Sequence, residues 1–75
     1  MARTGKSLVI CVDNDGFEAS LEKRKIYVAA PDAAADKRGH LRVQDESGED
    51  YLYPKRMFVP LDLPDTVKRA VLQAT

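Results

Sequence analysis

The chain has one cysteine, no tryptophan and no excess of either charge. A single thiol, Cys11, allows no disulfide framework within the chain and no four-cysteine zinc site. A small chain without such a staple suits a reducing compartment, so a cytoplasmic location is expected. Twelve basic residues balance twelve acidic ones, which removes the basic excess by which proteins usually hold phosphates and makes nucleic acid a disfavoured partner. Long apolar runs are missing too. Leu8-Val9-Ile10-Cys11-Val12 stops at Asp13, too short for the apolar region of a signal peptide or for a membrane span. Without a tryptophan, an aromatic groove of the kind that reads proline-rich peptides lacks its usual central ring.

The length of 75 residues sets a further limit. A chain of this size hides about 62% of its unfolded surface on folding. The apolar share of that burial contributes about 110 kcal/mol, and ordering the chain offsets about the same amount. Little core is left in which to enclose a deep, dry pocket. A self-contained enzyme with a buried cofactor is therefore not expected, nor is a cofactor or a metal.

What is present reads as short strands separated by turns. Residues 1–6 look like a loose leader, and residues 7–75 like one domain. Ser7 to Val12 is β-branched and apolar on both alternating faces, as in a central strand. Asp13-Asn14-Asp15-Gly16 ends it with four turn formers, and Phe17 to Glu22 suits a loop holding one helical turn. Lys25 to Ala30 is a second strand, with Tyr27 on the face opposite Ile26 and Val28. Pro31 to Gly39 is an alanine-rich connection with room for a helical turn. His40 to Gln44 alternates cleanly, Leu41 and Val43 inward and Arg42 outward. Asp45 to Glu49 makes a glycine-containing hairpin, Asp50 to Tyr53 returns, and Pro54 ends that strand. Lys55-Arg56-Met57 is a tight turn before a short edge strand, Phe58 to Leu61. From Pro64 the period changes: Val67, Ala70, Val71 and Ala74 form one stripe of a helix at about 64–74. A helix so short is marginal alone and is expected to cover an open end or flank of the sheet.

The succession Leu21-Glu22-Lys23-Arg24-Lys25-Ile26-Tyr27, then Asp45-Glu46-Ser47-Gly48-Glu49, then Tyr53-Pro54 and Phe58-Val59-Pro60 resembles short bacterial and phage proteins with an SH3-like barrel. In those proteins the loop before the second strand reads Leu, a turn, Lys, then Tyr. A glycine-containing hairpin and a Tyr-Pro…Phe ending follow. The resemblance covers about residues 7–61 and is carried mostly by turn chemistry and core spacing. It implies a small five-stranded antiparallel SH3-like barrel and says little of activity; with the short C-terminal α-helix read from the periodicity, the expected fold is mainly β. Arg24 departs from it, standing where such proteins commonly carry glycine ahead of the lysine.

Several groups invite chemistry. Asp13, Asp15, Gly16 and Glu22 match part of a calcium-loop spacing, but Cys11 would fill the first ligand position from inside an apolar strand, so the loop reads as a structural turn. Asp45, Glu46, Glu49 and Asp50 crowd one hairpin and read as a solvated tip. Cys11 and His40 are the residues available for thiol–imidazole chemistry, and Cys11 sits among apolar neighbours that make it inert. Tyr51 and Tyr53 share one strand face. With Leu52 inside, both lie on the outer surface near Lys55 and Arg56. In the other phase both enter the core with their hydroxyls at the rim. The expected function is a non-catalytic protein-interaction or regulatory module. Its site residues are Tyr27, Tyr51, Tyr53, Lys55 and Arg56, its partner is a protein, and it is a monomer or weak homodimer. A small regulatory nucleic-acid-binding protein would instead use Lys23-Arg24-Lys25 and Lys55-Arg56 with stacking tyrosines. A metal-dependent enzyme assembled from the acidic loops at an oligomer interface is the third reading.

Overall fold

Side-chain alternation sorts the first strand into two faces, and the rest of the sheet follows from that sorting. The computed structural model describes residues 6–74; the other residues of the expected leader at 1–6, and Thr75, lie outside the described residues. In β1 (Ser7–Cys11), Val9 and Cys11 enter the core cluster, while Leu8 and Ile10 point to the opposite face. β1 is flanked by β2 (Ile26–Ala30) and β5 (Phe58–Pro60), both antiparallel to it. β3 (His40–Gln44) pairs with β2, and β4 (Asp50–Pro54) pairs with β3. The order is β4-β3-β2-β1-β5, five antiparallel strands in a curled half-barrel.

The concave face holds one core: Val9, Cys11, Leu21, Tyr27, Ala29, Val43, Tyr53, Met57 and Phe58, with Leu41 packed against it. Phe58 meets both buried tyrosine rings edge-on, at 6.4 Å from each. Edge contacts of this kind add about 0.5–1.5 kcal/mol beyond burial, a useful share in a core with so few large side chains. Leu21 is delivered to that core by the expected helical turn, whose Ser20 and Leu21 amides donate to the Phe17 carbonyl.

The alanine-rich connection forms a short helix, α1 (Ala33–Lys37), because Asp32 caps it: its Oδ1 accepts from the Ala35 amide at 3.0 Å. Its other oxygen holds Arg42 of β3 at 2.8 Å, which fastens the connection to the sheet. Lys55 to Met57 is a single 3₁₀ turn, and its Lys55 amide donates to the Gly39 carbonyl. The hairpin at 45–49 turns through Gly48 at φ +86°, the left-handed region in which a glycine costs nothing sterically.

α2 (Asp65–Gln73) forms where the periodicity places it, but Pro64 stands as its N-cap and not as its first helical residue. On the helix, Lys68, Val71 and Leu72 are half-buried. None of its residues is buried, and Val67 is 44% exposed. The physical reason lies on both sides of the contact. The concave face is already filled by Leu21, Met57 and Phe58, and an alanine-rich stripe offers too little area to bind elsewhere tightly.

Arg24 explains its own departure from the resembling proteins. It is the non-glycine residue with positive φ among those described, at +69°, forced there as the chain turns back and its amide donates to the Cys11 carbonyl. A side chain in that region costs about 1–2 kcal/mol, of which glycine's extra unfolded freedom returns about 0.5–1. Arg24→Gly is therefore expected to raise stability by about 0.5–1 kcal/mol in urea unfolding, and Arg24→Val to lower it. A loss of stability from the glycine variant would contradict this account of the turn.

Candidate functional site

β4 takes the phase that buries tyrosine. Tyr53 is 4% exposed and Leu52 45%, so both tyrosines lie on the concave side, and Leu52 lies on the outer one with Arg42, its register partner. Tyr53 reaches the core, whereas Tyr51, one step nearer the hairpin, remains half exposed. Tyr27 is buried as well. The expected surface of Tyr27, Tyr51, Tyr53, Lys55 and Arg56 is thus divided. Tyr27 and Tyr53 are core residues, because a sheet so small needs its largest rings inside; Tyr51, Lys55 and Arg56 stay at the surface.

The two buried hydroxyls explain the acidic hairpin. The Tyr53 hydroxyl donates to Asp45 Oδ2 at 2.5 Å, while Asp45 Oδ1 accepts from the Ser47 amide at 2.8 Å and the Ser47 hydroxyl at 2.5 Å. The Tyr27 hydroxyl donates to Glu46 Oε2 at 2.5 Å and accepts from the Glu22 amide at 2.7 Å. Lys25 meets the same Glu46 oxygen at 2.5 Å. The solvated-tip reading therefore holds for Glu49 and Asp50 but not for Asp45, which is buried. Sequence gave no signal for these pairings. Tyr27 and Glu46 lie nineteen residues apart, on segments that only the folded chain brings together.

The clamps set the charge states. Burial opposes ionisation of Asp45 more than any other single influence, yet the hydrogen bonds from Ser47 and Tyr53 together outweigh it and hold its carboxyl below the usual range. Lys25, then Tyr27, lower Glu46 in the same sense. Burial, then the Glu46 carboxylate, pushes the Tyr27 hydroxyl well up, and burial followed by Asp45 does the same to Tyr53.

Lys55 and Arg56 stand on the 3₁₀ turn at the rim of an open cleft of about 470 Å³, which has Val9, Leu41, Phe58 and Pro60 as its apolar lining. Lys55 is paired with Asp36 of α1. The Arg56 side chain is 70% exposed, and its guanidinium lies 3.8 Å from Asp13. A neighbouring cleft of about 340 Å³ shares Ser7, Asp36 and Leu41 and includes His40. A separate cleft of about 420 Å³ lies along Phe17, Tyr51, Leu52 and Tyr53, where the Phe17 ring stands edge-on to Tyr53 at 5.1 Å.

Other candidate groups are kept apart. The Cys11 amide donates to the carbonyl of Lys25, just before β2, and His40 lies beyond the other end of that strand. The Cys11 thiol is fully buried, and burial pushes its pKa up, the reverse of what an activated nucleophile needs. The Asp13–Gly16 loop is a turn: Asp13 Oδ1 accepts from the Asp15 amide, and Asn14 donates to the Leu21 carbonyl. Among the described residues no group of three His, Cys, Asp or Glu side chains is placed to hold a metal ion, and no helix is long and apolar enough to cross a membrane. The chain matches no protein-family model, no curated protein and no solved structure.

The clamps predict a pH dependence with a definite sign. Carboxyls held low in the fold stabilise it fully above their unfolded pKa values, and this stabilisation fades as pH falls through the folded ones. Unfolding free energy should therefore drop as the medium is acidified below the ordinary carboxylate range. Tyr53→Phe should cost about 1–2 kcal/mol at neutral pH and flatten that drop, as urea titrations across pH would show. A variant as stable and as acid-sensitive as the parent would contradict the clamp.

Proposed function

We propose that this chain is a non-catalytic protein-interaction module on an SH3-like barrel of the kind found in short bacterial and phage proteins. The 3₁₀ turn between the last two strands, and the Leu21-to-Tyr27 loop that delivers both of its end residues to the core, support the barrel reading. A buried, protonated single thiol fits a cytoplasmic setting.

The observation that carries the functional reading is the cleft beneath Arg56. Its lining is apolar, its rim bears an exposed guanidinium, and Lys55 beside it is already neutralised by Asp36. Such a cleft suits a partner segment that inserts one apolar side chain and places a carboxylate next to it. A guanidinium is the preferred cation for that role, since it meets a carboxylate with two parallel bonds. Tyr27 and Tyr53 then act indirectly, by holding the barrel that shapes the cleft.

Selection from a random peptide library tests this. Enriched peptides should carry an apolar residue beside Asp or Glu, should shift the NMR signals of Val9, Leu41 and Phe58, and should lose at least tenfold in affinity to Arg56→Glu, a change of about 1.4 kcal/mol. The melting temperature of that exposed-site variant should stay near the parent's. Peptides that bind elsewhere would overturn the assignment. So would shifts of the same residues by single-stranded nucleic acid with steep salt dependence, which would favour the nucleic-acid reading.

A further inference from the structure

Hydrogen-bond parity distinguishes the two edges of the sheet. In antiparallel pairing, successive residues of a strand direct their main-chain groups to opposite sides. On β5 the Val59 groups face β1, because Leu61 and Met57 on either side bond to Leu8 and Val12. Phe58 and Pro60 therefore face the free edge. The Phe58 amide is already given to the Lys55 carbonyl, and Pro60 has no amide. This edge has no donor to offer and cannot accept a further strand in the ordinary way.

β4 is different. The Lys55 amide bonds to Gly39 and the Asp45 amide to Glu49, which fixes Tyr51 and Tyr53 as the residues bonded to β3 in the same register. The N–H and C=O of Asp50 and Leu52, and the C=O of Pro54, are left facing outward. Asp50, Tyr51 and Leu52 are all exposed, so both faces of this edge are open along three consecutive residues. An exposed edge carrying Tyr51 and Leu52 invites pairing.

We infer that β4 pairs antiparallel with β4 of a second copy, about a two-fold axis at Leu52. In this register the two Leu52 residues exchange N–H and C=O bonds, and each Asp50 amide meets the other copy's Pro54 carbonyl. Tyr51 lies opposite Tyr53 of the other copy. The charges complement each other: Glu49-Asp50 precede β4 or open it and Lys55-Arg56 follow it, so each acidic end runs beside the other copy's basic end. A slide of two residues toward the hairpins would centre the pairing on Tyr51 and move each Lys55 from opposite Glu49 to opposite Ser47, losing the charge match, which selects the Leu52-centred register. Four main-chain hydrogen bonds over a single short strand make a reversible dimer, well below the size of a permanent interface. This contact shares Lys55 and Arg56 with the rim of the proposed partner cleft but uses the main-chain edge of β4, which is no part of the cleft lining.

Sedimentation equilibrium of the whole chain tests the inference. The average mass should rise from one chain toward two between about 10 µM and about 1 mM. Leu52→Pro removes the central donor at a position whose amide the parent sheet does not use, and should weaken association at least tenfold. Because a strand proline could also impair folding, a charge series runs beside it. Asp50→Lys should weaken association, and Asp50→Lys combined with Arg56→Glu should recover it. A single-chain mass throughout would overturn the inference. Association unaffected by a folded Leu52→Pro chain, or by the charge series, would place the contact elsewhere and equally overturn it.

Discussion

The hydrogen bond from the buried Tyr53 hydroxyl to Asp45 fixes the phase of β4, and much of this molecule depends on that phase. A strand has two settings. The alternative one would put Leu52 inside and expose a tyrosine pair, leaving the Asp45 carboxylate without its tyrosine donor. With Tyr53 inward, the ring packs edge-on against Phe58 and Phe17 while the hydroxyl still finds a charged acceptor. A tyrosine is favoured over phenylalanine there because the core ends at the hydroxyl and a carboxylate waits beyond it. The same setting turns the Leu52 side chain outward and its main chain toward the free edge. One hydrogen bond thus determines a core, a cleft and an edge.

A half-barrel of five short strands cannot hide everything. Its concave face takes the large side chains, its outer face keeps Ile26, Leu52 and Val59 in partial contact with water, and its helix α2 buries none of its residues. The sheet protects its two edges unequally. β5 is closed by chemistry, since Pro60 lacks an amide and the Phe58 amide is consumed by the preceding turn. β4 is guarded only by charge at its ends, which deters strands of like pattern and admits one that is complementary.

Much of the fold was legible in the sequence because local rules decide it. His40–Gln44 alternates with a single apolar face, the 45–49 hairpin needs a left-handed residue and has Gly48, and Lys55–Met57 follows a proline that ends its strand. Arg24 was legible as a misfit and proves to occupy a left-handed turn. Tyr51-Leu52-Tyr53 was not legible, since every residue in it suits either face and only Asp45 and Phe58, from other segments, choose between them. Asp45 and Glu46 read as solvated tip residues because their partners Tyr53 and Tyr27 are distant in sequence. Lys55 and Arg56 were singled out together, yet only the folded chain shows Lys55 held closely by Asp36 and Arg56 standing 3.8 Å from Asp13.

Amide hydrogen exchange along β4, followed by NMR in dilute solution, tests the phase most directly. Slow exchange is expected at Tyr51 and Tyr53, whose amides bond to β3, and fast exchange at Leu52, whose amide faces solvent at the edge. Slow exchange at Leu52 with fast exchange at Tyr53 would mean that the strand is set the other way, and would contradict the core, the clamp and the edge together.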